Sequence, residues 1–246
     1  MFAAVMMCSL PAQNTDAQGR KQGYWKKKDE KSGKLIYEGE FKDDKPVGRF
    51  KYYYVNDSVQ AIMNFKEGGK IAYAKLFHLN GKRMGEGKYI NEQKDSVWIF
   101  YDEAGVKLSK DLYKMGKKNG VCYVYLPNGA LSEERNWKEG VEHGKYKMYF
   151  DGKLVKSEGN YMEGKLDGRN VFYYPGGIEA AVGYYKDGLK IGPWIYKDQN
   201  GNVTEKELYK NGVLASKKET DEFFAKTKTL NEPKKPANKP LKKPAN

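Results

Sequence analysis

The chain has 246 residues, 39% of them hydrophobic, with 20 tyrosines, 27 glycines and a formal net charge of +13. The glycine density excludes long helices, and no apolar pattern of helical period appears before residue 215. Aromatic side chains suit strands and glycine suits the turns between them, so the composition predicts an all-β protein. The positive balance favours anionic partners or surfaces, although a plain solvated, self-repelling surface accounts for it as well.

Residues 1–17 read as a signal-peptide-like segment. Phe2 to Leu10 is apolar but far too short to span a bilayer, and Leu10-Pro11-Ala12 resembles a small-residue cleavage region. A basic leader is missing, which fits a true start codon lying upstream. The expected location is therefore exported: periplasmic, outer-membrane associated or secreted, with the cytoplasm as the alternative. Met7 stands where a small residue usually precedes a lipidated cysteine, which weakens a lipoprotein reading at Cys8. With the leader removed only Cys122 remains, so no intramolecular disulfide framework forms. Cys122 stands where other repeats place an aromatic, and a buried, inert thiol is expected.

Residues 18–214 repeat with a step of 24. An aromatic residue ends each unit: Phe41, Phe65, Tyr89, Tyr113, Trp137, Tyr161, Tyr185 and Tyr209. The turn residues Gly33, Asp57, Gly81, Gly105, Gly129, Gly152, Gly177 and Gly201 keep the same step with one slip. So do the closing residues from Asp44 and Gly68 to Gly188 and Gly212. The units open at Gly23, Gly48, Tyr73, Ser96, Gly120, Gly144, Gly168 and Gly192. Each unit predicts one β-hairpin, reversed at turns such as Asn80-Gly81, Asn128-Gly129 and Asn200-Gly201, where Asn-Gly would supply the two positive φ angles of a tight turn.

Alternation along the strand places offsets two and four from the opening residue on one face. These offsets read Trp25, Phe50, Tyr52, Trp98, Phe100, Cys122, Val124, Tyr146, Met148, Phe172, Trp194 and Tyr196. Gly39, Gly87, Gly159 and Gly183 precede their terminal aromatics by two residues and leave room for a ring from a neighbouring strand. One hairpin alone cannot hide this surface. Stacked hairpins hide it from water, each buried ring being worth about 1.5–3 kcal/mol.

The stretches Tyr37–Phe50, Gly159–Asn170 and Gly183–Trp194 resemble the MORN repeat, the membrane occupation and recognition nexus: Tyr-x-Gly-x-aromatic, then paired glycines four residues apart. The variant is also similar to bacterial repeat proteins sometimes labelled antitoxins. The resemblance implies an elongated antiparallel sheet that acts in protein or lipid binding, scaffolding or self-association.

Catalysis needs convergent groups. His78 and His143 are 65 residues apart, almost three repeats, and in a one-dimensional stack they do not meet. Two histidines and two cysteines without close spacing make no metal cluster, and the glycines belong to hairpin punctuation rather than to a phosphate loop. No catalytic residue, metal ligand or cofactor is assigned. Acidic residues mixed through every unit, together with the expected export, argue against nucleic acid.

Offset five, opposite the ring face, carries Tyr53, His78, Tyr101, Tyr125, Tyr149 and Tyr173, flanked by Arg49, Lys51, Lys145, Lys147 and Arg169. The row reads either as a binding face for a protein partner or anionic envelope surface, or as mere support for cross-strand pairing. Its candidate residues are Tyr53, Tyr101, Tyr125, Tyr149, Tyr173, Arg49, Lys147 and Arg169.

Residues 215–230 read as a capping segment, a short helix with Thr220 or Asp221 at its start and Phe223 and Phe224 over the last hairpin. Residues 231–246 alternate lysine and proline and predict a disordered arm. The expected whole is an elongated antiparallel sheet of eight hairpin repeats with a short C-terminal helix and a disordered tail. It would serve as a non-enzymatic binding module or scaffold, with a self-assembling structural protein and an antitoxin-like inhibitor as the alternatives.

Overall fold

The structure is a computed structural model that describes residues 14–151 and 153–230. The apolar start and the Lys/Pro-rich tail therefore lie outside the described residues, apart from Asn14–Thr15, which forms a short strand against Lys21 and Gln22. From Lys21–Lys28 to Val203–Lys210 the chain is a continuous antiparallel meander, each long strand pairing with the one before and the one after. Eight hairpins of two long strands stack side by side in one sheet, which at about 4.8 Å per strand extends roughly 70 Å.

The repeat is visible in the backbone as a metre of left-handed residues. Nearly all the punctuation positions have positive φ, including the non-glycines Asp44, Asp57, Glu92 and Ser96. Each opening residue pairs directly with the terminal aromatic of its own hairpin, as Gly48 with Phe65 and Gly192 with Tyr209.

The two ends of each hairpin use different turns, and here the expectation is corrected. At Asn80-Gly81 only the glycine has positive φ. His78 N donates to Lys82 O and Gly81 N donates to His78 O, so the reversal is a three-residue loop closed by a left-handed glycine. The asparagine contributes through its side chain, Asn80 Oδ1 accepting from Lys82 N at 2.9 Å. The two-residue turns with both φ angles positive are the corners between units, such as Glu139 at 51° followed by Gly140 at 87°.

The third unit opens elsewhere than its spacing suggests. Its opening residue is Ala72, which pairs with Tyr89, and not Tyr73. In other units the strand carries a wide bulge after the corner: Glu86 pairs with Ile99 and Lys88 with Asp95, so three residues oppose one. Between Val59–Lys66 and Ile71–Phe77 the register is unbroken and the corner is four residues long. The two residues absent from the bulge have moved into the turn, which is why the step of 24 survives the loss of the opening glycine.

The core is a stripe of rings along one face. Phe50, Trp98 and Trp194 are 0–1% exposed in a sheet one layer thick. Each fully buried ring lies over the glycine eleven residues earlier, on the adjoining strand of the preceding hairpin. A side chain built on Gly39, Gly87 or Gly183 would start 2.4, 2.3 or 2.1 Å from the ring of Phe50, Trp98 or Trp194. Where the first position is not glycine the second is usually small, as in Met63 with Ala74 and Asp111 with Cys122. Burial pushes the Cys122 thiol up from its ordinary range. Gly159 faces Asn170, a fully buried amide at a ring position that the sequence reading passed over; its Oδ1 accepts from Tyr146 Oη at 2.9 Å. Lysines lie across the outer side of the stripe, Lys94 Nζ 4.9 Å from the Trp98 ring centroid and Lys190 Nζ 4.3 Å from that of Trp194.

After the two-residue strand Val213–Leu214 the helix α1, Lys217–Leu230, packs against Val203–Lys210. Its cap is Ser216 rather than Thr220 or Asp221. Ser216 N and Oγ both donate to Glu219 Oε2, at 3.0 and 2.8 Å, a capping box written in the sequence as Ser-Lys-Lys-Glu. Lys206 Nζ lies 5.1 Å from the Phe224 ring centroid, tying the helix to the last strand. Among the described residues no helix is long and apolar enough to cross a membrane.

Candidate functional site

The face opposite the rings is built by alternation, and four of its tyrosines have specific partners on it. Tyr53 Oη donates to Glu38 Oε1 at 2.6 Å, Tyr101 to Glu86 at 3.1 Å, Tyr149 to Glu134 at 2.9 Å and Tyr173 to Glu158 at 2.9 Å. Every pair spans fifteen residues and joins a hairpin to the one before it. Tyr125 differs because Lys110 stands fifteen residues before it; Lys107 Nζ instead lies 3.6 Å from the Tyr125 ring centroid.

Burial, reinforced by the neighbouring glutamates, pushes the Tyr149 and Tyr173 hydroxyls up to about 12 and raises those of Tyr53 and Tyr101. The hydrogen bond from Tyr53 is the main cause holding Glu38 below the usual carboxylate range. The basic candidates join the same network. Lys147 Nζ is 3.5 Å from Glu158 Oε2, and Arg169 Nη2 is 3.4 Å from Glu179 Oε1. Lys51 Nζ is 3.4 Å from Glu38 Oε1, and the Arg49 charge bears on the Tyr53 hydroxyl.

His78 does not belong to this row. With Ala72 as the opening residue it falls one position later, where Tyr54 and Tyr174 also stand. All three reach the backbone carbonyl of the next hairpin: His78 Nε2 to Tyr101 O at 3.0 Å, Tyr54 Oη to Phe77 O and Tyr174 Oη to Lys197 O at 2.8 Å.

Sequence reasoning missed the four glutamates. Their signal was available, since each precedes the terminal aromatic of its unit by three residues, but it appears in only four of the eight units. It also missed the stretch of this face beside the Tyr101–Glu86 pair, where the third hairpin has no Tyr–Glu pair of its own. Tyr73 is 48% and Val97 41% exposed there. Together with Ile99, Lys75 and Lys88 they line an open cleft of about 470 Å³. Among the described residues no group of three or more His, Cys, Asp or Glu is placed to hold a metal.

The sequence of residues 190–217 matches the MORN repeat variant. That span contains the opening Gly192, the turn Gly201 and the closing Gly212, the left-handed positions whose spacing recurs along the sheet. Residues 190–217 thus form a repeat of the MORN variant type. Repeats of this type suggest a binding or scaffolding module. No curated protein matches the chain. Among solved structures, a mutant of S. aureus TarM in complex with fondaparinux, alpha-GlcNAc-glycerol and UDP is 14% identical with a TM-score of 0.29. That likeness covers 39% of this chain and 19% of the other. A second TarM structure is 13% identical with a TM-score of 0.28, over 36% of this chain and 18% of that one. The chain thus spans about a fifth of the length of these structures, and at such scores the likeness carries no argument.

Proposed function

We propose that the MORN sheet is a non-enzymatic binding module that holds a protein partner against its faces. One observation carries this reading: the sheet offers two long faces while its edges are defended. Among the described residues the first long strand is covered by Asn14–Thr15 at Lys21 and Gln22, and the rest of it ends in Lys26, Lys27 and Lys28, a charge run that opposes strand addition. Helix α1 lies against the last strand at the other end. This arrangement favours a binding module over end-to-end assembly of sheets. The pairing of Lys51, Lys147 and Arg169 with glutamates favours a protein over an anionic membrane surface. The non-enzymatic reading is supported by the two histidines, which sit in separate hairpins, His78 on the Tyr101 carbonyl and His143 Nδ1 3.4 Å from Glu163 Oε1.

The test has two arms. Light scattering of the full chain over a wide concentration range is expected to show a monomer; growth with concentration would support assembly instead. Capture with the full chain as bait, followed by affinity measurement with the purified partner, is expected to lose at least tenfold in the Tyr73→Ser, Val97→Ser, Ile99→Ser variant. Unchanged affinity in a folded variant would remove the open face from the reading.

A further inference from the structure

The ring stripe has a gap. In the second hairpin a buried ring stands between two terminal aromatics, and in the fourth it meets the terminal aromatic of the hairpin before. Phe50 meets Phe41 and Phe65 edge-on, with centroids 5.1 Å away on both sides. Trp98 meets Tyr89 at 4.8 Å. In the seventh and eighth hairpins Trp194 stands between Tyr185 and Tyr209, at 5.1 and 6.4 Å. The third hairpin has Ala74 at this position. Phe65 and Tyr89 both pair with Ala72 from opposite sides, so they lie two strand spacings apart, about 9.6 Å. That is the distance one ring fills when it contacts both.

The space is there. A recess of about 350 Å³ opens between Phe65 and Tyr89, with Tyr52, Met63 and Ala72 also lining it. Its mouth carries Lys70 and Glu92. Lys70 precedes Ala74 by four residues, the spacing of Lys94 from Trp98 and of Lys190 from Trp194, but it stands in the corner, and Ala72 rather than a lysine pairs with Phe65. The straight register of this hairpin explains why the gap persists. With no bulge, Met63 and Ala74 pair directly, and the sheet does not swing a ring of its own over the slot.

We propose that this recess is a binding site for one aromatic side chain of a partner protein, of tryptophan size, which completes the stripe between Phe65 and Tyr89 with Lys70 at the mouth. The chemistry follows from the protein's own neighbouring hairpins, where flanking edge-on rings and a lysine ammonium surround the ring in this position. The inference rests on the binding-module reading and gives it a residue-sized anchor, as buried aromatics commonly provide in interfaces.

The test uses the full chain with methyl-labelled methionine and N-acetyltryptophanamide as the probe, with N-acetylleucinamide as the comparison. A saturable upfield shift of the Met63 methyl resonance is expected with the tryptophan probe, at an affinity at least tenfold above that of the leucine probe. The double variant Met63→Gly, Ala74→Trp supplies the ring from within and is expected to keep its circular dichroism and to lose probe binding at least tenfold, measured for it and for the wild-type chain by titration calorimetry. Equal response to both probes, no response at Met63, or unchanged binding in the folded double variant would overturn the proposal. A Met63 shift that follows protein concentration without probe would assign the slot to a second copy and overturn the partner reading. Because the probe is not the partner, failure here leaves the capture experiment on the open face to judge the binding-module reading by itself. Should the double variant not fold, the discrimination between the two probes on the wild-type chain decides alone.

Discussion

Trp194 is 1% exposed, and a Cβ on Gly183 would stand 2.1 Å from its Cδ2. The ring of one hairpin uses the missing side chain of the hairpin before it. The same relation joins Gly39 to Phe50 and Gly87 to Trp98. It explains how a sheet without a second layer excludes water from its largest side chains.

Replacing Gly183 with alanine is therefore expected to cost about 1–3 kcal/mol, as overpacking does in a dense core. The substitution is backbone-neutral, since Gly183 has no positive φ. In a Trp194→Ala background the added cost of Gly183→Ala is expected to disappear. Urea unfolding of the two single variants and the double variant measures the coupling.

The Tyr–Glu pairs make a prediction at high pH. The Tyr149 and Tyr173 hydroxyls are raised from 10.0 to about 12, so the folded state favours their neutral form. Their contribution is complete below pH 10 and is lost as pH rises toward 12. Phenolate absorbance in the folded protein should show these tyrosines ionising later than in urea. Tyr149→Phe is expected to cost about 0.5–1.5 kcal/mol at neutral pH and to flatten this late step.

Much of this was legible in the sequence. The step of 24, the all-β class and the shielding of rings by glycines follow from spacing and alternation, which are local rules. The misread parts depend on pairing. Tyr73 looks like an opening residue because it lies near the expected place, yet only the register with Tyr89 shows that Ala72 holds it. Asn-Gly suggests a two-residue turn, and the loop length set by the flanking strands selects a three-residue one. The glutamates beneath the tyrosines and Asn170 among the rings were passed over because each takes its meaning from a residue on another strand, fifteen or twenty-four positions away.

The helix cap gives a low-pH prediction. Glu219 is held at about 2 rather than 4.5, first by its hydrogen bond with Lys210 and then by those with Ser216. A lowered carboxylate stabilises above its ordinary value, and that support is lost as pH falls from 4.5 toward 2. The ellipticity of α1 is expected to fall over that range, and Glu219→Gln is expected to show the weakened helix already at pH 7.

Glu92 stands at 64° in a corner position where most units have glycine. Glu92→Gly is expected to stabilise the protein by roughly 0.5–1 kcal/mol through relief of left-handed strain. A rise in melting temperature with an unchanged denaturant slope would meet the expectation.

Acrylamide quenching of a variant that keeps Trp98 alone, with Trp25, Trp137 and Trp194 changed to phenylalanine, tests mutual shielding most directly. Trp98 is 0% exposed, covered within a single sheet by its neighbouring hairpins and Lys94. Blue-shifted emission that resists the quencher until the protein unfolds is the predicted result. Emission and quenching like those of free tryptophan in the folded state would contradict the account.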